Sequence, residues 1–100
     1  GLLESVYKIS MKHVLTIGGV LAETELKLPI TFEGVTLESD LKIDLLVEKC
    51  VIAELKSVES MNPVFEAQLM TYLRLSKTRL GFLINFNVPH LKNGIKRIVV

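Results

Sequence analysis

The sequence has no tryptophan, a single cysteine at position 50 and three prolines. One cysteine excludes an intrachain disulfide and any zinc site built from cysteine pairs. It fits a reducing, cytoplasmic setting. Charge of either sign is not in excess: 12 Lys and Arg stand against 11 Asp and Glu, for a net charge of +1. That excludes a protein gripping nucleic acid by bulk charge alone, and leaves a local basic surface, a partner or a metal ion for the task. No apolar run approaches the roughly 20 residues a membrane helix needs, and no signal peptide is visible. Gly1 stands where an initiator methionine would, as in a chain trimmed at its N-terminus.

What is abundant is aliphatic. Hydrophobic residues make up 49% of the 100 positions, enough for a packed core without tryptophan and too many for a disordered chain. The length supports one domain, residues 1–100. Neither an internal repeat nor a linker interrupts it.

Residues 2–17 read as a helix, with Leu3, Tyr7, Val14 and Leu15 near one stripe and Glu4, Lys8 and Lys12 along another. Gly18-Gly19 ends it. Residues 20–32 read as extended, with Pro29 marking an edge strand or a bend. Glu33-Gly34 predicts a hairpin joining that stretch to residues 35–37. Two strand-length apolar runs follow at 41–47 and 51–58, separated by Glu48-Lys49-Cys50. Asn62-Pro63 carries the cap and first-turn signal of a helix running to about Ser76, with Phe65, Leu69, Tyr72 and Leu73 on one face. Residues 80–86 form the most hydrophobic segment and read as a buried strand. Pro89 ends it, and residues 95–100 give a last strand-like piece.

The chemistry sits inside the two paired runs. Glu54 and Lys56 lie two apart on a strand and so share a face, while Leu55 points the other way. An acid and a lysine among Val, Ile, Ala and Leu work against burial unless they are paired or sit at an open edge. Asp44 interrupts the preceding strand in the same manner. If Glu48-Lys49-Cys50 is a three-residue loop, Val47 pairs with Val51 and Asp44 falls opposite Glu54. A two-residue loop would pair Asp44 with Leu55 and break the constellation. The three-residue reading sets two acids and a lysine on one face, with opposed Cβ atoms about 4.5–5.5 Å apart. Two carboxylates at that spacing suit Mg²⁺, which takes few protein carboxylates and keeps open positions. Lys56 would orient a water or steady charge developing on a phosphate.

Asp44 followed by Glu54-Leu55-Lys56 resembles the D…(D/E)xK signature of the PD-(D/E)XK nuclease superfamily. Gly1-Leu2-Leu3-Glu4-Ser5-Val6-Tyr7 is similar to the GxxExxY motif that names one small family within it. Asp44-Leu45-Leu46-Val47 and Glu54-Leu55-Lys56-Ser57-Val58 resemble that family's strand motifs. The stretch from Glu66 to Tyr72 resembles its QxxxY helix, and the stretch from Gly81 to Pro89 its following strand. The family's usual helical segment ahead of GxxExxY does not precede Gly1 here.

The resemblance implies an α/β fold with a restriction-endonuclease-like αβββαβ core, a mixed central sheet flanked by helices. It implies that Asp44 and Glu54 are metal ligands, with Glu4 as an additional acid near the metal, and that Lys56 is the catalytic lysine. Gln68 and Tyr72 would face the site from the second helix. The implied activity is Mg²⁺-dependent hydrolysis of nucleic-acid phosphodiester bonds, with Mn²⁺ as a substitute and DNA favoured over RNA. A compact nuclease domain often cuts duplexes as a dimer, which makes a homodimer a further expectation. The competing reading is a module that binds nucleic acid or protein and keeps the nuclease fold without turnover. The intact acid, acid, lysine set argues against it.

Plainer readings stand beside these. A surface pair of Glu4 with Lys8 accounts for Glu4 at roughly 0.2–0.5 kcal/mol. Tyr72 fits the core stripe of its helix. Glu23 and Glu25 read as solvent-facing, and His13 and His90 as singletons without a metal role. Arg74, Lys77, Arg79, Lys92, Lys96 and Arg97 give the C-terminal half a basic excess, either a phosphate-contacting surface or a soluble face.

Overall fold

A computed structural model describes residues 2–37 and 39–100, apart from the side chains of Leu2 and Phe32. Gly1, the first position of the GxxExxY motif, lies outside the described residues. The elements run α1 (Leu2–Ile17), β1 (Ala22–Lys27), β2 (Ile30–Phe32), β3 (Val35–Leu37), β4 (Lys42–Val47), β5 (Val51–Lys56), α2 (Pro63–Ser76), β6 (Leu80–Asn85) and β7 (Ile95–Val99). A single 3₁₀ turn, Leu91–Gly94, precedes β7. Apart from β2 and β3, the expected α-β-β-β-α-β series is present, with one more strand at its end.

Five strands form one mixed sheet in the order β1-β4-β5-β6-β7, and β2 pairs with β3 as a separate hairpin. Pro29 separates β1 from that hairpin, and β1 is an edge strand of the main sheet. Strands β5 and β6 run parallel, joined through α2, and the other neighbours described in this sheet run antiparallel. Val51, Ala53 and Leu55 alternate with Ile52, Glu54 and Lys56 along β5, so that strand feeds both faces of the sheet. On one face Ile52 and Leu83 pack with Leu69, Tyr72 and Leu73 of α2. On the other, Leu45, Ala53, Leu55 and Ile84 pack with Met11 and Leu15 of α1.

Helix α2 begins as its sequence dictates. Asn62 Oδ1 accepts the Val64 amide at 3.0 Å, and Pro63 fills the first turn, where no amide is needed. It ends on Lys77 in the left-handed conformation, whose amide reaches the Arg74 carbonyl. Helix α1 departs from the expected stripe. Tyr7, Met11 and Leu15 face the sheet, whereas Leu3 and Val14 are exposed together with Val6, Ile9 and Ile17. Charge explains the rotation: the inward side also carries Glu4 and Lys8, which meet polar groups at the end of the sheet.

The β4–β5 hairpin matches the three-residue reading. Val47 pairs with Val51, Leu46 with Ile52 and Leu45 with Ala53. Glu48 and Lys49 both adopt left-handed backbone, and the Cys50 amide closes the turn on the Val47 carbonyl at 3.1 Å.

Candidate active site

Continuing that register by one pair brings Asp44 opposite Glu54, and there the ladder changes character. The Asp44 amide donates to Glu54 Oε1 at 3.3 Å, and the Leu55 amide donates to Asp44 Oδ2 at 3.0 Å. Each acid thus accepts a backbone proton from the opposite strand. The Asp44 carboxylate lies close enough to Glu54 to raise its carboxyl further.

The cause lies one strand away. The β1–β4 register passes from Thr24↔Leu45 to Leu26↔Ile43 and skips the position where Glu25 would meet Asp44. Glu25 has φ 56°, a left-handed conformation costing a non-glycine residue about 1–2 kcal/mol. The strand rolls over at this point: Leu45 belongs to the α1-side core, and Ile43, two residues earlier, to the α2-side core. Asp44 sits at the roll, so its side chain enters the gap between strands.

Burial and charge set the electrostatics. Glu54 is 5% exposed. Desolvation, then the neighbouring Asp44 charge, push its carboxyl up to about 8, and the Lys56 ammonium only partly opposes them. At neutral pH the metal-free pair therefore holds a proton. Burial, followed by the Glu54 charge, also raises the Tyr72 phenol. Lys56 points toward α2, with Nζ 4.5 Å from the centroid of the Phe65 ring.

Gln68 and Tyr72 meet as their spacing of four implies: Gln68 Nε2 donates to Tyr72 Oη at 2.8 Å. Tyr72 is buried in the α2-side core as well, so the core and site readings of it coexist. Glu4 lies at the rim. Its Oε1 accepts the Ser57 amide at 3.4 Å, one residue past Lys56. The helical turn carrying it is fixed by Tyr7, whose ring stacks on Phe86 with centroids 4.2 Å apart and planes 6° apart. A cleft of about 90 Å³ opens beside Asp44, lined by Glu4, Ser5, Lys8, Asp44 and Leu55. Among the described residues no three His, Cys, Asp or Glu side chains gather tightly enough to hold a metal. The close acidic pair is Asp44 with Glu54, with Glu4 at the edge of the cleft.

Four contributors escaped the sequence reading. Lys8 does not end at the surface: it binds Glu25 and lies 3.9 Å from Asp44 Oδ1. Glu25 accordingly is not a purely solvent-facing acid. Asn85 is buried at the end of β6. Its amide binds the Val58 amide at 3.1 Å and the Val58 carbonyl at 3.0 Å, holding the chain that leaves β5 after Lys56. A polar residue in the most hydrophobic strand was the available signal. Phe65, read as core, carries the Lys56 ammonium. The basic excess of the C-terminal half also divides. Lys92 and Lys96 lie toward the end of the sheet where Lys56 pairs with Asn85, and Arg79 beside the opposite end, where Val51 pairs with Leu80.

The architecture has counterparts. The family model for the PD-(D/E)XK nuclease superfamily matches residues 1–98. The crystal structure of SSO0001 superimposes with a TM-score of 0.72 at 20% sequence identity, over 97% of this chain and 50% of that one. The chain thus spans about half the length of that protein, and the likeness is one of fold. No curated protein matches the sequence. Among the described residues no helix is long and apolar enough to cross a membrane.

Proposed function

The chain belongs to the PD-(D/E)XK nuclease superfamily, and from that premise we propose that it is a divalent-metal-dependent nuclease with Asp44, Glu54 and Lys56 at its centre. We place it with the GxxExxY proteins on the strength of Glu4 and Tyr7 at the head of α1, with DNA as the preferred substrate, Mg²⁺ as the working ion and the cytoplasm as its location. The observation that carries the reading is the facing of Asp44 and Glu54 across the β4–β5 pair, each carboxyl accepting a backbone amide from the other's strand. Two neighbouring acids, Glu54 buried and Asp44 partly so, destabilise the apoprotein, and Glu54 retains a proton to a pH of about 8. A hard dication relieves that repulsion and replaces the proton, so the donor set fits Mg²⁺ or Mn²⁺.

Asp44 and Glu54 are the residues that would hold the ion, with Glu4 close enough to the cleft to orient its hydration. When bound, such an ion polarises a phosphoryl oxygen and acidifies a water. The rest falls to the chain itself. Lys56 carries a positive charge next to Glu54, suited to orienting the attacking water or to steadying charge on the phosphate in the transition state. Phe65 limits where that ammonium can go. Gln68 fixes the Tyr72 hydroxyl as an acceptor, leaving the phenolic proton to donate into the site. Asn85 holds the segment after Lys56 in place.

The test is cleavage of DNA and RNA, duplex and single-stranded, with Mg²⁺ or Mn²⁺. Cleavage lost in both Asp44→Ala and Lys56→Ala, with folding intact, is the expected result. Cleavage that survives both substitutions sinks the assignment. Salt-sensitive binding without cleavage by the wild type would favour the non-catalytic module instead.

A further inference from the structure

The acidic pair has a cation of its own. Lys8 reaches in from α1 with its side chain 15% exposed, and among the residues lining the cleft at Asp44 it supplies the positive charge. Its ammonium is bound to Glu25 and makes a long ion pair with Asp44 Oδ1 at 3.9 Å. Glu25 occupies the position opposite Asp44 where the β1–β4 ladder is interrupted, and its backbone is left-handed there. Two carboxylates, Glu25 and Asp44, thus compete for one ammonium, and a kinked backbone places the first of them.

Resting on the reading that Asp44 and Glu54 hold a divalent cation, we propose that Lys8 is an internal counter-cation competing with the metal for Asp44, and that Glu25 sets metal affinity by holding Lys8 aside. The physics is direct. An ammonium paired with Asp44 satisfies part of the charge that attracts the ion, and once the ion is in place the ammonium is repelled by it. With Lys8 on Glu25, its pairing with Asp44 Oδ1 stays long, at 3.9 Å, and the Glu25 carboxylate offsets part of the ammonium's repulsion of the ion. Asp44 Oδ2 is already committed to the Leu55 amide, so Oδ1 is the oxygen for which lysine and metal contend. The Lys8–Glu25 pair is then a positioning device, and its two members act on metal binding in opposite directions.

An ordinary ion pair clipping α1 to β1 makes a different prediction. Losing either partner of a clip lowers stability and leaves metal affinity alone. The experiment is calorimetric titration of Mn²⁺ into the metal-free wild type, Lys8→Met, Glu25→Gln, the double variant and Asp44→Asn, with a melting curve for each. Met keeps the length and apolar stem of Lys8. Glu25 is half exposed, so Glu25→Gln carries little folding risk and decides the matter by itself if Lys8→Met is unstable. The expected result is tighter binding in Lys8→Met by about tenfold, a difference of 1.4 kcal/mol. Glu25→Gln should bind several-fold more weakly, and the double variant should behave as Lys8→Met. Shifts in the same direction for both single variants, or no shift while Asp44→Asn abolishes binding, would overturn the proposal and leave the metal site standing. Absence of Mn²⁺ binding in the wild type would overturn both.

Discussion

Asp44 and Glu54 each hold the other's strand: the Asp44 amide donates to the Glu54 carboxyl, and the Asp44 carboxylate accepts the Leu55 amide. The acids are therefore structural ties as well as candidate ligands, and the two roles pull apart on mutation. Asp44→Asn keeps an acceptor for the Leu55 amide and removes a charge from a crowded site. It should hold or raise the melting temperature of the metal-free protein. It should also lower cleavage by more than the roughly 10–100-fold that loss of an outer-shell partner costs. Asp44→Ala leaves the buried Leu55 amide without its acceptor and should cost about 1–3 kcal/mol besides. Equal stability of the two variants in urea would show that the tie carries no weight.

The raised Glu54 carboxyl fixes the sign of a pH effect. Between its ordinary value of 4.5 and about 8, the folded protein binds a proton that the unfolded chain has released. The contribution to stability is fully present below 4.5 and is lost as pH rises through about 8. Urea midpoints of the metal-free protein should fall across that window, by up to about 1.4 kcal/mol per pH unit. Glu54→Gln should flatten the profile and stabilise the metal-free protein at pH 8. Mg²⁺ or Mn²⁺ should restore stability in the same range, releasing a proton that calorimetry in buffers of different ionisation enthalpy would count. A profile that rises with pH in the wild type would contradict the burial of this pair.

These residues also show how far the sequence could be read. Strand parity and one loop length sufficed to bring Asp44 opposite Glu54, because a period of two leaves no other way to face them once Val47 meets Val51. The helix bounds were legible for a similar reason: Asn62-Pro63 is a local signal that needs no partner. Lys8 was not legible. Its spacing of four from Glu4 offers a sufficient local explanation, and its link to Glu25 depends on a kink that no sequence pattern announces. Nothing local in the sequence singles out Gly94, yet a Cβ there would clash with the Asn85 carbonyl oxygen. Such close approaches of two backbones belong to tertiary structure. Gly94→Ala should accordingly destabilise the protein by roughly 1–3 kcal/mol, as overpacking does, and a melting curve would show it.

The β4–β5 turn offers a stabilising change remote from the chemistry. Glu48 and Lys49 have φ of 51° and 57°, where only glycine is free of strain. Glu48 has a compensating role, since its carboxylate accepts the Leu21 amide at 2.9 Å. Lys49 has only an exposed ion pair with Glu23 at 3.3 Å, worth about 0–1 kcal/mol. Lys49→Gly should therefore raise stability by about 1 kcal/mol against that small loss, with cleavage unchanged. A lower urea midpoint would mean that the Glu23 pair outweighs the backbone strain.

The Lys56 ammonium over the Phe65 ring separates placement of the proposed catalytic lysine from its presence. A cation–π contact of this kind contributes about 0.5–2 kcal/mol depending on desolvation. Phe65 is partly buried against the α2-side core, and leucine can fill most of its volume there. Phe65→Leu should cost little stability, yet leave the ammonium free to sample positions away from the phosphate. The expected signature is a fall in kcat of about 3–30-fold with KM nearly constant, since the loss bears on the transition state rather than on substrate binding. Phe65→Tyr or Phe65→Trp should restore most of the rate, because either ring still offers a π face. If leucine cleaves as fast as the aromatics, the ring is core packing alone, and Lys56 finds its place through Glu54.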